Sequence, residues 1–529
     1  MRFLLINPFY PIAETPSPPL GLAFLAGALE RAGVEVRILD LVVHPYSKKV
    51  IEATLEAFSP HFAGATAVTM TCDHALCVLA HVKDISTDIW TVMGGPHVTF
   101  CAEETMSAHP ELDFVVLGEG EKAIVELVRE GEKGGDWRRI RGLVYRNGDM
   151  ITSTGKREPL IEADALPSPS RHLLPLGRYR ALHMPISMTT SRGCPFSCIF
   201  CVGRKMVGQR VRYRNPVEVV DELAYLAGLH FHQVNIADDL FTADKKHCLA
   251  VCEEIVKRKL SVTWTSFSRV DTVSREVLSA MKEAGCASVS FGAESGNAGI
   301  LKRVKKGITL DQVTEVITLC GEVGITPQVS FILGLPGETT QTLEETMAFG
   351  KRLKDMGALH GFHLLAPFPG TEVRDQNDEY GIKILSNDWK EYHANRAIVE
   401  TASVSSKMLD EIVIAWEEKF DEWLGDIKRD RERGEATEAE AEVLENLENT
   451  VLIYDLMMDR VIELKGFWQT NGKPASAEDL FKTLVHRVAG ATEYTLKQVD
   501  DTLSSAVKKG TLDWAEEKDG VRWEWVDYL

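Results

Sequence analysis

Short apolar runs alternate with helical stretches through the first 400 residues, and they do so in two series. The first series has runs at Phe3–Asn7, Val34–Leu39, Phe62–Thr69, Trp90–Gly94 and Phe114–Leu117. Helical patterns such as Leu20–Ala32, Lys48–Ala57 and His74–Lys83 separate them. Strands joined by helices pair in parallel, so residues 1–135 are predicted to form a doubly wound, five-stranded parallel sheet, an α/β class of fold. Ligands of such sheets sit beyond the carboxyl ends of the strands. Those ends carry Asn7-Pro8, Thr69-Met70-Thr71, Gly94-Gly95-Pro96-His97 and Gly118-Glu119-Gly120-Glu121. Glycines there let a bulky ligand approach the backbone.

The second series runs from residue 186 to about 400. Its six candidate strands are Ile186–Thr190, Gln233–Ala237, Thr263–Ser266, Ser288–Gly292, Thr326–Ile332 and Gly361–Leu365. Six strand–helix units predict a partial (β/α)6 barrel of the TIM type, with its chemistry at the carboxyl rim. Residues 136–185 read as a linker, with a hairpin signal at Asn147-Gly148 and a Pro-rich stretch over 167–175. Residues 401–529 turn helical. The charged run 428–448 reads as one solvated helix, and the chain ends in a helix–helix–hairpin pattern of winged-helix type. Asp500 and Asp501 on the second of those helices oppose DNA binding and favour a packing or lid module. Trp416, Trp423, Trp468, Trp514, Trp523 and Trp525 are core residues of this region or a cover for an apolar substrate.

The net charge of −19 excludes a nucleic-acid partner and suits a basic or neutral redox partner. No apolar run reaches 18 residues, so no membrane span is expected. The start lacks a signal-peptide pattern, which leads to a cytoplasmic expectation. Thiols stay reduced there, so the ten cysteines are core residues or metal ligands rather than disulfides.

Three of those cysteines, Cys194, Cys198 and Cys201, share the eight residues CPFSCIFC just after the first strand of the second series. A disulfide set needs an even number, and a closed zinc or iron–sulfur site needs four ligands. The nearest following histidine is His230, with no local pair. Three thiolates on a tight C-x3-C-x2-C loop suit three corners of a cubane, leaving one iron open. Cys248 and Cys252, four apart on one helix, read as core.

The CPFSCIFC stretch resembles the signature of the radical S-adenosylmethionine (SAM) superfamily, with Phe200 as its aromatic. DDLFT at Asp238–Thr242, FGAESGN at Phe291–Asn297, ILGLPGET at Ile332–Thr339 and PFPGTE at Pro367–Glu372 follow later strands and match the same superfamily. The resemblance implies a [4Fe-4S] cluster on the three cysteines and SAM on its open iron. It implies SAM contacts at Phe200 and Glu294, with Ser295, Asp238 and Gln328 as further candidates. Asp238 and Asp239 could equally cap the next helix. The first 130 residues resemble the cobalamin-binding domain of the B12-dependent branch, through residues 16–40, MGGPHVT and GEGE. That implies cobalamin contacts at Thr69, Thr71, Gly94, Gly95, Pro96, His97, Gly118, Glu119 and Gly120. The D-x-H-x-x-G motif is absent, so cobalamin is expected base-off without a histidine ligand.

For this branch the resemblance implies methylation of an unactivated carbon of a small molecule. A radical formed from one SAM would remove a hydrogen, and methylcobalamin would supply the methyl. It also implies a flavodoxin- or ferredoxin-type electron donor. One alternative is cyclisation or rearrangement without net methyl transfer, as in the anaerobic magnesium-protoporphyrin ester cyclases. Another, of a different class, is a B12- or redox-responsive regulator with the winged tail as its output.

Overall fold

The computed structural model describes residues 1–9, 16–158, 167–393, 395–470, 476–518 and 520–529. Part of the expected linker, 159–166, therefore lies outside the described residues.

The first sheet contains the five expected parallel strands: β1 (Arg2–Asn7), β2 (Glu35–Asp40), β3 (Phe62–Thr66), β4 (Trp90–Gly94) and β5 (Phe114–Val116). The hairpin expected in the linker is β6 (Leu143–Asn147) and β7 (Met150–Ser153). It is not free. It adds two antiparallel strands to the edge of β5 and makes a seven-stranded sheet, order β2-β1-β3-β4-β5-β6-β7. Helices cover both faces, as buried parallel strands require. Leu4 and Ile6 of β1 pack with the side of α2 (Lys48–Phe58), α3 (Cys72–Ile85) and α4 (Pro96–Ala108). Phe3 and Leu5 pack with α1 (Leu20–Arg31) and α5 (Glu121–Glu132). The strand order reverses between β1 and β3, which opens a crevice at their carboxyl ends.

The second sheet contains all six expected strands: β8 (Ile186–Met188), β9 (Val234–Ile236), β10 (Trp264–Ser268), β11 (Cys286–Glu294), β12 (Thr326–Leu333) and β13 (Leu359–Leu364). All are parallel and lie in sequence order. Among the described residues, β8 and β13 do not pair, so the barrel is partial. Cys248 and Cys252 are buried in its core.

The C-terminal region corrects one expectation. The charged run is not one helix. It breaks between Ser406–Arg433 and Glu438–Met458. Gly434 ends the first helix in a left-handed conformation (φ 73°), and a Thr437/Glu440 capping box starts the second. The winged-helix pattern is present as helices Ala477–Ala489 and Leu496–Lys508 with a three-stranded antiparallel sheet. Trp523 and Trp525 are core there, whereas Trp423 is exposed. This core also takes in Val42 and Val43 of the first unit and Tyr179 and Leu182 of the linker, so the module is fastened to the rest. No helix among the described residues is long and apolar enough to cross a membrane.

Candidate active site

The cysteine loop leaves β8 through Thr190 and Ser191, and both are held by one carboxylate. Asp238, buried after β9, accepts the Thr190 N–H at 2.6 Å, the Thr190 hydroxyl at 2.6 Å and the Ser191 hydroxyl at 2.7 Å. Asp239 accepts the Gly193 N–H at 3.1 Å. Neither caps the next helix; Asp244 does that. Gly193 is required, because a Cβ at its φ of 113° would stand 2.5 Å from the Arg210 carbonyl oxygen.

Each cysteine sulfur in this loop receives an N–H. Cys194 accepts from the Phe196 backbone, Cys201 from Gly203 at 3.3 Å, and Cys198 faces Arg269 Nη1 at 3.8 Å. Burial pushes the Cys194 thiol above its ordinary value. Thiol protons must leave when a metal binds, and the converging N–H groups stabilise the thiolates that result. Among the described residues no three His, Cys, Asp or Glu side chains are gathered around one metal ion. A cubane does not need that, because each thiolate ligates a different iron. The donor set therefore fits an iron–sulfur cluster.

Arg269 was not singled out from sequence. It follows β10, is buried, and lies 3.6 Å above the Phe196 ring. Asp271 holds it through two contacts of 2.9 Å, and it donates to the Lys306 carbonyl at 2.6 Å. Lys306 in turn pairs with Glu294 at 2.7 Å, with both side chains buried. Glu294 ends β11 with φ 64°, and Gly292 leaves room for its carboxylate: a Cβ there would lie 2.2 Å from Glu294 Oε1. Phe200 packs on the rim cluster of Ile300, Leu335 and Leu365. Ser295 is buried and shares a hydrogen bond with Thr346 at 3.2 Å. Gln328 accepts from Ser290 at 3.1 Å but sits five residues before the end of β12, about 16 Å from the rim.

The first sheet brings its loops together at its own carboxyl rim. Gly95 has φ 108°, and a Cβ there would collide with the Ala67 carbonyl oxygen at 2.5 Å. Gly94 precedes it, and Pro96 begins α4. His97 is buried, its Nδ1 3.4 Å from the Thr69 hydroxyl and its ring edge-on to Trp389 at 4.9 Å. Burial lowers its pKa to about 4. Thr71 closes its own turn by accepting the Val68 N–H at 3.2 Å. Gly118 donates to Thr99 at 3.0 Å, and Gly120 faces Leu25. Beneath these loops lies a cavity of about 240 Å³, between the sheet at Leu5, Gly64 and Val92 and the helices α1 and α5. Its strand-end glycines and apolar floor fit a slot for a bulky group.

The two rims face each other across a network of buried charge. Ser191–Arg192 pairs antiparallel with Arg212–Tyr213, which sets two arginines opposite one another. Glu119 separates them, 2.8 Å from Arg212 and 3.2 Å from Arg192; Glu121 reaches Arg192 at 2.7 Å. Arg192 also lies 4.8 Å above the Phe24 ring. The final barrel loop adds contacts. A Cβ at Gly370 would enter the Phe100 ring, and Lys390 pairs with Asp73 at 3.3 Å.

A cluster-forming loop at a partial barrel rim, opposed to a nucleotide-type sheet with an open slot, defines a radical SAM enzyme with a second cofactor domain. Comparisons bear this out. Residues 188–350 match the model of the radical SAM superfamily, and residues 13–128 match the B12-binding domain. An uncharacterised methyltransferase of Pyrococcus horikoshii is 34% identical over 426 residues, covering 78% of this chain and 91% of the relative. An anaerobic magnesium-protoporphyrin IX monomethyl ester cyclase of Rubrivivax gelatinosus is 30% identical, covering 78% of this chain and 76% of the relative. Among solved structures, the cobalamin-dependent SAM radical enzyme OxsB, with aqua-cobalamin and SAM bound, gives a TM-score of 0.67 at 17% identity, covering 96% of this chain and 81% of that one. The radical SAM methyltransferase TsrM of Kitasatospora setae, with cobalamin and a [4Fe-4S] cluster bound, gives 0.64 at 21% identity, covering 74% and 84%. The chain belongs to the B12-dependent radical SAM enzymes, in a family that includes methyltransferases and ester cyclases.

Proposed function

We propose that the chain methylates an unactivated carbon of a small molecule held between the two rims. The observation that carries this reading is the Glu119–Arg192–Arg212 network, which joins the rim of the B12-binding sheet to the segment leading into the cysteine loop. When bound, the cluster with SAM supplies a hydrogen-abstracting radical, and cobalamin supplies the methyl group.

The chain's own residues hold, orient and shield. Cys194, Cys198 and Cys201 hold the cluster, with Phe196, Gly203 and Arg269 donating to their sulfurs. Glu294 and Phe200 at the rim are the SAM contacts that the geometry supports best. Asp238 positions the cysteine loop through Thr190 and Ser191. Ser295 tightens the turn that presents Glu294. Gln328 lies on β12 well below the rim.

On the cobalamin side, Gly94, Gly95, Pro96, Gly118, Glu119 and Gly120 line the slot, while Thr69 and Thr71 stand outside its lining. Neutral His97 is turned into Thr69 and Trp389, which supports base-off cobalamin without a histidine ligand. The reading also requires a flavodoxin- or ferredoxin-type donor, and reducing, cytoplasmic surroundings that keep the three cysteines as thiols. Cyclisation without methyl transfer is the second reading, favoured by the 30% identity to the Rubrivivax cyclase.

The test is anaerobic reconstitution with SAM carrying a deuterated methyl group, followed by mass spectrometry. A product that gains the heavy methyl supports methylation. SAM cleavage with an unlabelled, altered product moves the assignment to cyclisation or rearrangement. No cleavage of SAM at all defeats both.

A further inference from the structure

Beside the apolar slot lies a second, larger cavity of about 580 Å³, which shares Gly118, Glu119 and Met206 with it. One side belongs to the first sheet and its helices. The other is the segment from Arg204 to Arg212 that leaves the cysteine loop. The lining carries three lysines and four arginines against two glutamates, in a chain whose net charge is −19.

Four of these cations already have partners. Arg212 serves Glu119, Arg157 pairs with Glu126, Lys205 reaches Asp375 at 3.0 Å, and Arg204 donates to Gln209 at 2.7 Å. Among the described residues, the side chains of Lys122, Lys156 and Arg210 have no ion pair and no hydrogen bond. Each comes from a different part of the chain: α5, the segment after β7, and the segment before Arg212. Glu119 is held by the arginines, which leaves Glu158 as the cavity's one unengaged carboxylate among the described residues. A cleft lined by one sign of charge concentrates field and ligand of the other.

We propose that this cavity is the anion site of the substrate, and that the substrate is a small molecule bearing a phosphate- or phosphonate-type group. Arg210 suits two-point contact with such an oxyanion, and Lys122 and Lys156 act as point charges. An anion anchored there would set the rest of the substrate between the cysteine loop and the cobalamin slot. Cobalamin alone does not account for the cations, because its ring edge bears neutral amides and its tail a single phosphodiester. The inference rests on the methylation reading for the word substrate, but the binding site can be tested apart from it.

Full-length protein loaded with cluster and cobalamin is titrated calorimetrically with tripolyphosphate. The expected result is one saturable site whose affinity falls at least about tenfold in K122A/K156A/R210A, the order expected for lost charge-assisted bonds. The exposed charge reversal K156E guards against a folding defect in the triple variant and is expected to weaken binding in the same direction. Cobalamin and cobinamide, which lacks the tail phosphodiester, are then compared on the triple variant. Equal retention of both supports a substrate site. A selective loss of cobalamin would assign the cations to the cofactor tail and overturn the proposal, as would wild-type binding absent or unchanged in the variants. Cleavage of SAM by the wild type is followed in parallel, so that failure of the functional reading is seen separately.

Discussion

Arg269 joins the two halves of the proposed radical site. Its guanidinium covers Phe196, faces Cys198 and is held by Asp271, while its link to Lys306 leads on to Glu294. A positive charge beside a thiolate favours the more negative, reduced cluster. R269Q should therefore keep its iron but lower the cluster's midpoint potential, on the order of tens of millivolts. R269K should fall between. A redox titration followed by electron paramagnetic resonance measures this, and an unchanged potential would show the arginine to be structural only. Glu338 offers a second residue-scale test. It accepts N–H groups from Gly334 and Leu335, its other oxygen is buried without a partner among the described residues, and burial lifts its pKa from 4.5 to about 8. The folded state thus holds a proton that the unfolded state releases. Stability from this group is full below pH 4.5 and declines as pH rises to about 8. The denaturation midpoint of wild type should show that decline, and E338Q should flatten it. At this scale the three cysteines were legible because their spacing is local. Arg269 was not, because the Cys198 sulfur it faces and the Lys306 carbonyl it bonds lie 71 and 37 residues away in the chain.

The Glu119 latch acts between elements. Arg192 and Arg212 are largely buried and face each other across a two-strand ribbon; Glu119 lies between them, and while Arg192 also reaches Glu121, Arg212 depends on Glu119 for its ion pair among the described residues. Removing one partner of a buried pair leaves uncompensated charge and costs about 3–5 kcal/mol. E119Q should lower the melting temperature and speed hydrogen exchange in residues 191–213, with cobalamin retention weakened. Exchange in this ribbon equal to wild type would contradict the latch. The sequence marked Glu119 as a cobalamin contact because it sits in a strand-end loop. It held no sign that two arginines some 70 and 90 residues onward would claim it. The helix break at Gly434 was different: the glycine and the Thr437/Glu440 capping box stand in the sequence, but unbroken charge masked them.

On the scale of the whole molecule, the winged C-terminal module is fastened by backbone proximity as well as by its core. A Cβ on Gly177 would lie 1.8 Å from the Val526 carbonyl oxygen, and Arg178 joins Glu463 and Asp527. G177A should force the last strand away, costing about 2–3 kcal/mol, and bring forward a separate low-temperature unfolding transition in calorimetry. A single transition at the wild-type temperature would refute this coupling. Such a seat on the linker and first unit, with Asp500 and Asp501 on its second helix, is that of a structural module rather than a DNA-reading output.

Two things followed from sequence alone: the two parallel sheets and the three-cysteine loop. Periodicity, turn residues and cysteine spacing are local, and local patterns survive without coordinates. The tertiary structure decided which rim faces which, that the linker hairpin extends the first sheet, that Asp238 secures a loop, and that Lys122, Lys156 and Arg210 meet in one cavity. Those outcomes depend on contacts between residues far apart in the chain, whose partners no local pattern encodes.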